Sequence, residues 1–255
     1  MARPDVSATY GDVDRSSDPA DAAAWMDRVA TYPAIAATKE RTLELLAGRA
    51  RVLDVGCGLG NDVRALGPRA VGVDPSRTML TEARRRGGAF ALAEGGSLPF
   101  ADAVFDGVRA DRVLQHVLDP EAVTAELVRV VESGAPVVVT DPDQATLVIE
   151  GPDPDLTAAV VRFRQEGIRN GFLAGSMESV LAAAGCVDIR AERFTQVVDA
   201  VSLAFGIGTW SAFLVEAGMF DAGQAAAFDA SLAAADADGS FDYRVDLVVT
   251  AGRRR

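Results

Sequence analysis

The chain has 255 residues, 49% of them hydrophobic, enough for one large α/β domain with a substantial core. Its net charge of −12 sets up a field that repels nucleic acid, so a nucleic-acid partner is not expected. No apolar run reaches the roughly 18 residues of a membrane span. The opening MARPDVSATYGDVDRSSDP also lacks an apolar leader, so a cytoplasmic protein without membrane insertion is expected.

Residues 1 to about 17 are polar. Ser17 to Gly48 reads as two helices: Ser17 or Asp18 caps the first, Pro19 starts it, Pro33 interrupts, and Gly48 closes the second. The period then changes. RVLDVGC (51–57) is a buried strand rich in branched residues, NDVRALG (61–67) a short helix, and AVGVDP (70–75) a second strand. SRTMLTEARRRGG (76–88) is a helix with Ser76 as cap and Gly87 as stop. FALAEG (90–95) and FDGVRAD (105–111) are the third and fourth strands. A helix over 119–134 is capped by Asp119, started by Pro120 and stopped by Gly134. APVVVTD (135–141) is the fifth strand.

Strands alternating with helices imply a doubly wound, mostly parallel sheet. Prolines 142, 152 and 154 then loosen the pattern before a helical run ending near Gly171. A helix over 176–186, a sixth strand over 187–198, an Ala-rich helical stretch over 199–238 and a closing strand over 241–252 complete a sheet of seven strands. The organisation expected is an N-terminal helical cap (1–50), an α/β core (51–198 and 240–255) and a helical insertion (199–239) in a single domain.

Cys57 and Cys186 stand far apart in apolar surroundings and read as free thiols. The basic residues are 24 Arg and a single Lys, Lys39, a compositional bias given no functional weight. Arg84–Arg86 and Arg253–Arg255 read as a solvated helix end and a frayed tail.

The chemistry centres on VLDVGCGLGND, Val52 to Asp62. A dinucleotide loop needs G-x-G-x-x-G, and Gly56, Gly58 and Gly60 are spaced G-x-G-x-G instead. A phosphate loop needs a lysine after its glycines, and none follows here. Asp54 inside the strand is unfriendly to pyrophosphate and suits a ligand bearing positive charge. Asp62 reads as a first-turn helix residue, where negative charge is favoured anyway. Asp74, ending the second strand, can accept both hydroxyls of a ribose, and Glu94 and Gly95 follow the third strand at an adenine edge. The ligand so described is a nucleoside carrying a cationic, amino-acid-like group.

VLDVGCGLG, VGVDPSRTML, AEGGSLPFADAVFDGVRADRVLQHVLDPEAVTAELVRVV and VVVTDPD, in that order, resemble the class I S-adenosylmethionine-dependent methyltransferases, nearest to their small-molecule, ubiquinone/menaquinone-type branch. The resemblance covers about 51–141 and extends more weakly to the C-terminus. It implies a Rossmann-like fold and S-adenosylmethionine as cofactor. It further implies that Asp54, Gly56, Gly58 and Gly60 form the methionine-side loop and that Asp74 binds the ribose. Pro75, Ser76 and Met79 would flank the adenosine, Glu94 and Gly95 would sit at the adenine edge, and Ala110 and Asp111 would lie near the methionine end. Glu94 stands where the family commonly has Asp, and Ser133-Gly134-Ala135 replaces its usual Pro-Gly-Gly.

The remaining residues keep two readings each. His116, the single histidine, is a general base or a packing residue. Met79 is an adenine contact or helix core. Arg112 orients an acidic acceptor or pairs with Asp111 or Asp119, and Asp141 and Asp143 face substrate or form a turn. Tyr10, Trp25, Met26, Tyr32, Phe172, Phe205, Trp210 and Phe213 line an acceptor pocket or belong to helix cores. No His/Cys/Asp grouping has metal-ligand spacing, so no metal is expected. The function expected is methyl transfer to O or N, with C open, of a small natural-product-like molecule by a monomer or homodimer. A cofactor-binding cyclase or isomerase is the alternative, and a nicotinamide-dependent oxidoreductase is disfavoured by the glycine spacing.

Overall fold

The computed structural model describes residues 19–255, with side chains from Ala24 onward. The expected Ser17 or Asp18 cap and Tyr10 lie outside the described residues. Helix α1 (Pro19–Val29) and helix α2 (Pro33–Leu45) are separated at Pro33, as the sequence implies. Then follow β1 (Val52–Val55), α3 (Asn61–Leu66), β2 (Val71–Asp74), α4 (Arg77–Arg86), β3 (Ala89–Leu92), β4 (Gly107–Asp111) and α5 (Pro120–Val130). The second half holds β5 (Pro136–Glu150), α6 (Pro154–Gly167), α7 (Met177–Ala183), β6 (Cys186–Val198), α8 (Trp210–Glu216), α9 (Ala222–Asp238) and β7 (Asp242–Arg254). Local chemistry sets the helix starts: Ser76 accepts from Met79 N to cap α4, and Asp119 accepts from Ala122 N to cap α5 with Pro120 in the first turn.

The seven strands form one sheet in the order β3-β2-β1-β4-β5-β7-β6, with β7 antiparallel to both neighbours. The chain runs outward from β1 through β2 to β3, then returns to place β4 on the other side of β1. That reversal opens a crevice at the carboxyl ends of β1 and β4, the place where open α/β sheets bind ligands. Leu53, Val73, Val108 and Val137, fully buried, stack in the central core with α5 and α7 residues such as Leu127 and Leu181. Each such side chain contributes about 1.5–3 kcal/mol on burial. Among the described residues no helix is long and apolar enough to cross a membrane.

Three expectations change. The fifth strand does not stop at Asp141 but runs on through Pro142 to Glu150 against β7. Thr140 O accepts from Arg112 N on the β4 side. Backbone alternation turns Pro142 the same way, past the end of β4, where its missing N–H breaks no ladder bond. The helix expected to reach Gly134 ends at Val130, because Val131 is drawn into a parallel bridge with Phe105. Arg253–Arg255 is not a frayed tail. Arg253 and Arg254 belong to β7, and the Arg254 guanidinium donates to the Arg129 and Val131 carbonyls at the C-terminal end of α5. A cation there satisfies carbonyls that the helix leaves open.

The long ends of β5 and β7 build a second core with α1, α2, α6, α8 and α9. Trp25, Tyr32, Phe205, Trp210 and Tyr243 meet there edge-on or tilted, with ring centroids 5.3–6.5 Å apart. Most of the aromatics read as pocket walls or core are therefore core.

Candidate functional site

Along β1, Leu53 and Val55 face the central core and Asp54 faces the other way. Register places Asp54 beside Arg109 of β4. Arg109 is fully buried, with Asp111 2.9 Å from its Nη2, Asp62 3.0 Å from Nη1 and Asp54 3.6 Å from Nε. Lys39, reaching in from α2, lies 3.0 Å from Asp111 and also contacts Asp62. Arg112 Nε is 3.4 Å from the other oxygen of Asp111. Three carboxylates and three cations thus share one cluster at the crevice. Unpaired, any of them would cost several kcal/mol to bury, on the order of the whole stability of a domain.

The electrostatics are uneven. Burial dominates at Asp54 and lifts its carboxyl to about 7 against the pull of Arg109. Burial also pushes on Asp111, but Lys39, Arg112 and Arg109 together hold its carboxyl below the usual range. Burial opposes the Arg109 charge, yet the three carboxylates outweigh it and raise the guanidinium's pKa.

The glycine loop leaves β1 at Gly56. Gly56 N and Cys57 N donate to Val73 O at 2.8 and 3.0 Å. Gly58 N donates to Asp74 Oδ2 at 2.9 Å, and Ser76 N to Asp74 Oδ1 at 2.8 Å. Asp74 therefore ties the glycine loop to the end of β2. Gly56 (φ 70°) and Gly60 (φ 69°) are both left-handed, and a Cβ would stand 2.4 Å from Val113 Cγ2 at the first and 2.3 Å from Phe90 Cζ at the second. Only glycine meets both demands. Between loop and cluster lies a cavity of about 60 Å³, walled by Met26, Lys39, Asp54, Gly56, Asp62 and Asp111 among others.

Residues 53–139 match the family model described as a methyltransferase domain. These residues carry a class I S-adenosylmethionine-dependent methyltransferase domain. It is 35% identical over 179 residues to an uncharacterized 37.1 kDa protein in transposon TN4556 of Streptomyces fradiae, covering 65% of this chain and 52% of that protein. It is 33% identical over 150 residues to Methyltransferase GfsG of Streptomyces halstedii, covering 54% of this chain and 50% of that protein. The chain thus spans about half the length of these curated relatives. Its fold is similar to the YcgJ protein from Bacillus subtilis, with a TM-score of 0.60 at 16% identity over 86% of this chain and 99% of that one.

Within the methyltransferase domain, the other residues singled out from sequence are placed as follows. Ser76 is buried as the cap of α4, and Pro75 beside it is exposed. Met79 is buried against Leu59 and Met26, next to the glycine loop. Glu94 is exposed just past β3, and Gly95 is half-buried, close to Val55 and Val123. Ala110 turns its methyl into the central core, so only its backbone borders the crevice. His116, half-buried, sits in the loop after β4 with its N–H on Val113 O, and is not on the cavity wall.

Asp141 and Asp143 are not in a turn. Both are buried in β5, where Asp141 accepts from Gln115 N at 3.5 Å and Asp143 from Arg193 Nη1 at 3.1 Å. Burial holds the Asp141 carboxyl well above the carboxylate range.

The part that three residues play in the ion cluster was not read from the sequence. Arg109 carried a signal: an acid inside an apolar strand calls for a buried counter-charge, and FDGVRAD offers one in the adjacent strand. Asp62 does occupy the first turn of α3, but it also closes the ion cluster. Lys39, set aside as compositional bias, is at the centre of the site.

Proposed function

We propose that this chain transfers a methyl group from S-adenosylmethionine to an oxygen or nitrogen of a small, largely apolar molecule of the natural-product type. It would work in the cytoplasm without a nucleic-acid partner. The observation that carries the reading is the cluster at the switch point: carboxylates and mobile cations share one cavity wall with a glycine loop. That donor set fits a cofactor end bearing both an ammonium and a carboxylate. Asp74, at the carboxyl end of β2, fits a ribose, since a carboxylate in that place can accept from both hydroxyls. Met79, Pro75, Ser76, Glu94 and Gly95 would border the adenosine beyond it.

When bound, the cofactor supplies a methyl group on a cationic sulfur, open to in-line displacement. The chain's part is alignment and exclusion of water. A cavity of about 60 Å³ is narrow beside the roughly 300 Å³ or more of small-molecule sites, and Met26 of α1 closes it above Gly58.

The acceptor would approach over the loop after β4. Asn170 Nδ2 donates to the Leu114 and Val117 carbonyls, which joins that loop to the segment carrying Phe172. Leu118 (85% exposed) and Phe172 (53%) stand on these joined segments as an apolar rim. His116 is the residue proposed to take the acceptor's proton, because it sits in the loop after β4, whereas Asp141 is buried within β5.

Calorimetry with the purified chain tests the reading. S-adenosylmethionine binds, and Asp74→Ala weakens it by about 10- to 100-fold. Unchanged affinity in Asp74→Ala overturns the assignment. An acceptor converted without S-adenosylhomocysteine release points instead to a cyclase or isomerase that uses the cofactor as a scaffold.

A further inference from the structure

We propose that the groove between α2 and the outer strands β6 and β7 is a second ligand site, which takes a phosphate monoester carried on an apolar body. The groove has a volume of about 710 Å³ and shares no lining residue with the cavity beside the glycine loop. Small-molecule sites run from about 300 to 1,000 Å³, so the groove has room for a ligand of that kind.

Its floor is buried Val249 and half-buried Ala251 of β7, ending at Pro136, the first residue of β5. One wall is α2, where Arg41 and Leu45 stand four residues apart on one helix face, with Arg49 just past the helix end. The other wall is β6, where Asp188, Ile189 and Arg190 all border the groove. Three successive residues of a regular strand cannot face one side. Here the pairing with β7 shifts between Val187 and Arg190, and Asp188 is left-handed at φ 53°. Such a bulge re-aims side chains, and this one brings Arg190 onto the groove.

The lining holds four arginines against two acids, Asp188 and Glu192, a surplus of two positive charges on a chain of net charge −12. Arg41 is already satisfied, since its guanidinium donates to both Glu192 and Glu44. Arg49, Arg190 and Arg253 close no ion pair among the described residues; Arg253 Nη1 donates to Gly134 O at 3.4 Å. These three gather at one end. Register sets Arg190 beside Ala251 and Arg253 beside Pro136. A Cβ placed on Gly107 would lie 3.5 Å from Arg49 Cγ and 3.6 Å from Pro136 Cγ, so Arg49 belongs to the Pro136 end as well. A guanidinium fork takes two phosphate oxygens in parallel. Several forks and a surplus of two match a dianion better than the single charge of a carboxylate. Leu45, Ile189, Val249 and Ala251 leave the apolar body a surface to rest on.

Phenyl phosphate, benzoate and benzyl alcohol share a ring and differ in charge, so calorimetry on the full chain at low salt tests the site. At about pH 7.5 the phosphate is largely a dianion. Phenyl phosphate should bind most tightly, benzoate at least about 3-fold more weakly and benzyl alcohol not measurably. Arg190→Gln with Arg253→Gln should weaken phenyl phosphate about 10-fold. Both side chains are exposed, so the thermal unfolding midpoint should stay at the wild-type value. Arg190→Gln alone should weaken phenyl phosphate about 3-fold. Arg69→Gln with Arg85→Gln removes two exposed charges elsewhere and should leave the affinity within about 2-fold. No binding of phenyl phosphate, benzoate bound as tightly, or an equal loss in the two double variants overturns the assignment.

Discussion

Replacing Arg109 with methionine tests whether one buried guanidinium holds three carboxylates in place. The variant keeps an apolar stem of similar volume and removes the charge that stands 2.9–3.6 Å from Asp111, Asp62 and Asp54. Removing one partner from a buried pair costs about 3–5 kcal/mol, because the charge left behind has lost its compensation. For a chain of 255 residues each kcal/mol moves the melting temperature by roughly 2–4 °C. The expected drop is therefore on the order of 10 °C.

The deficit should also depend on pH, with a definite sign. Lys39 and Arg112 still serve Asp62 and Asp111, so Asp54 is the group left without a counter-ion. Its carboxyl is already at about 7 through burial, and Arg109 is the first influence pulling it down. Without Arg109 it rises further. A carboxyl raised above its unfolded value stabilises while protonated, and that stability is lost as pH climbs toward the folded pKa. In the wild type the loss levels off above about pH 7, whereas in Arg109→Met it continues at up to about 1.4 kcal/mol per pH unit. Urea unfolding followed by circular dichroism at pH 6, 7 and 8 should show the gap between variant and wild type widening with pH. Adding Asp54→Asn should remove the extra slope. A loss under about 1 kcal/mol at every pH, or a gap that narrows as pH rises, would refute the reasoning.

Two further outcomes follow from the same geometry. Asp54→Asn alone should flatten the fall in stability between pH 5 and 8, since the carboxyl raised to about 7 is gone. Unfolding midpoints of wild type and variant compared across that range decide it, and parallel curves would contradict the raised value. Gly60→Ala should cost about 2 kcal/mol, because it places a side chain at φ 69° and 2.3 Å from the Phe90 ring. Thermal unfolding within experimental error of wild type would show that the loop can yield there.

Much of the fold was legible because it rests on local signals. Short apolar runs marked β1 to β4, and side-chain caps at Ser76 and Asp119 marked α4 and α5. The parts that were missed depend on partners distant in sequence. Pro142 looks like a strand breaker until the end of β4 is known, because only then does its missing N–H face no ladder. The closing arginines look frayed until α5 is seen to present open carbonyls to Arg254. The site divides the same way. The glycine spacing and Asp74 are readable from a dozen residues, whereas the Asp54–Arg109 pairing exists only through strand register and Lys39 arrives from another helix.

The position of that cluster follows from the topology itself. The reversal that opens the crevice also makes β1 and β4 neighbours, so any charge facing the crevice from β1 has its partner one strand away on β4. An acid placed there alone would stay protonated and could not attract a cation. With Arg109 behind it the acid keeps part of its charge, and with Lys39 in front the cluster remains compensated when no ligand is present. A ligand that carries opposite charges on adjacent atoms can enter such a site by trading partners, with little change in the number of buried unpaired groups. Specificity for an amino-acid end over a phosphate then comes from the arrangement: an anion of two charges would face three carboxylates, with the cavity-wall cations Lys39 and Arg112 already paired to two of them.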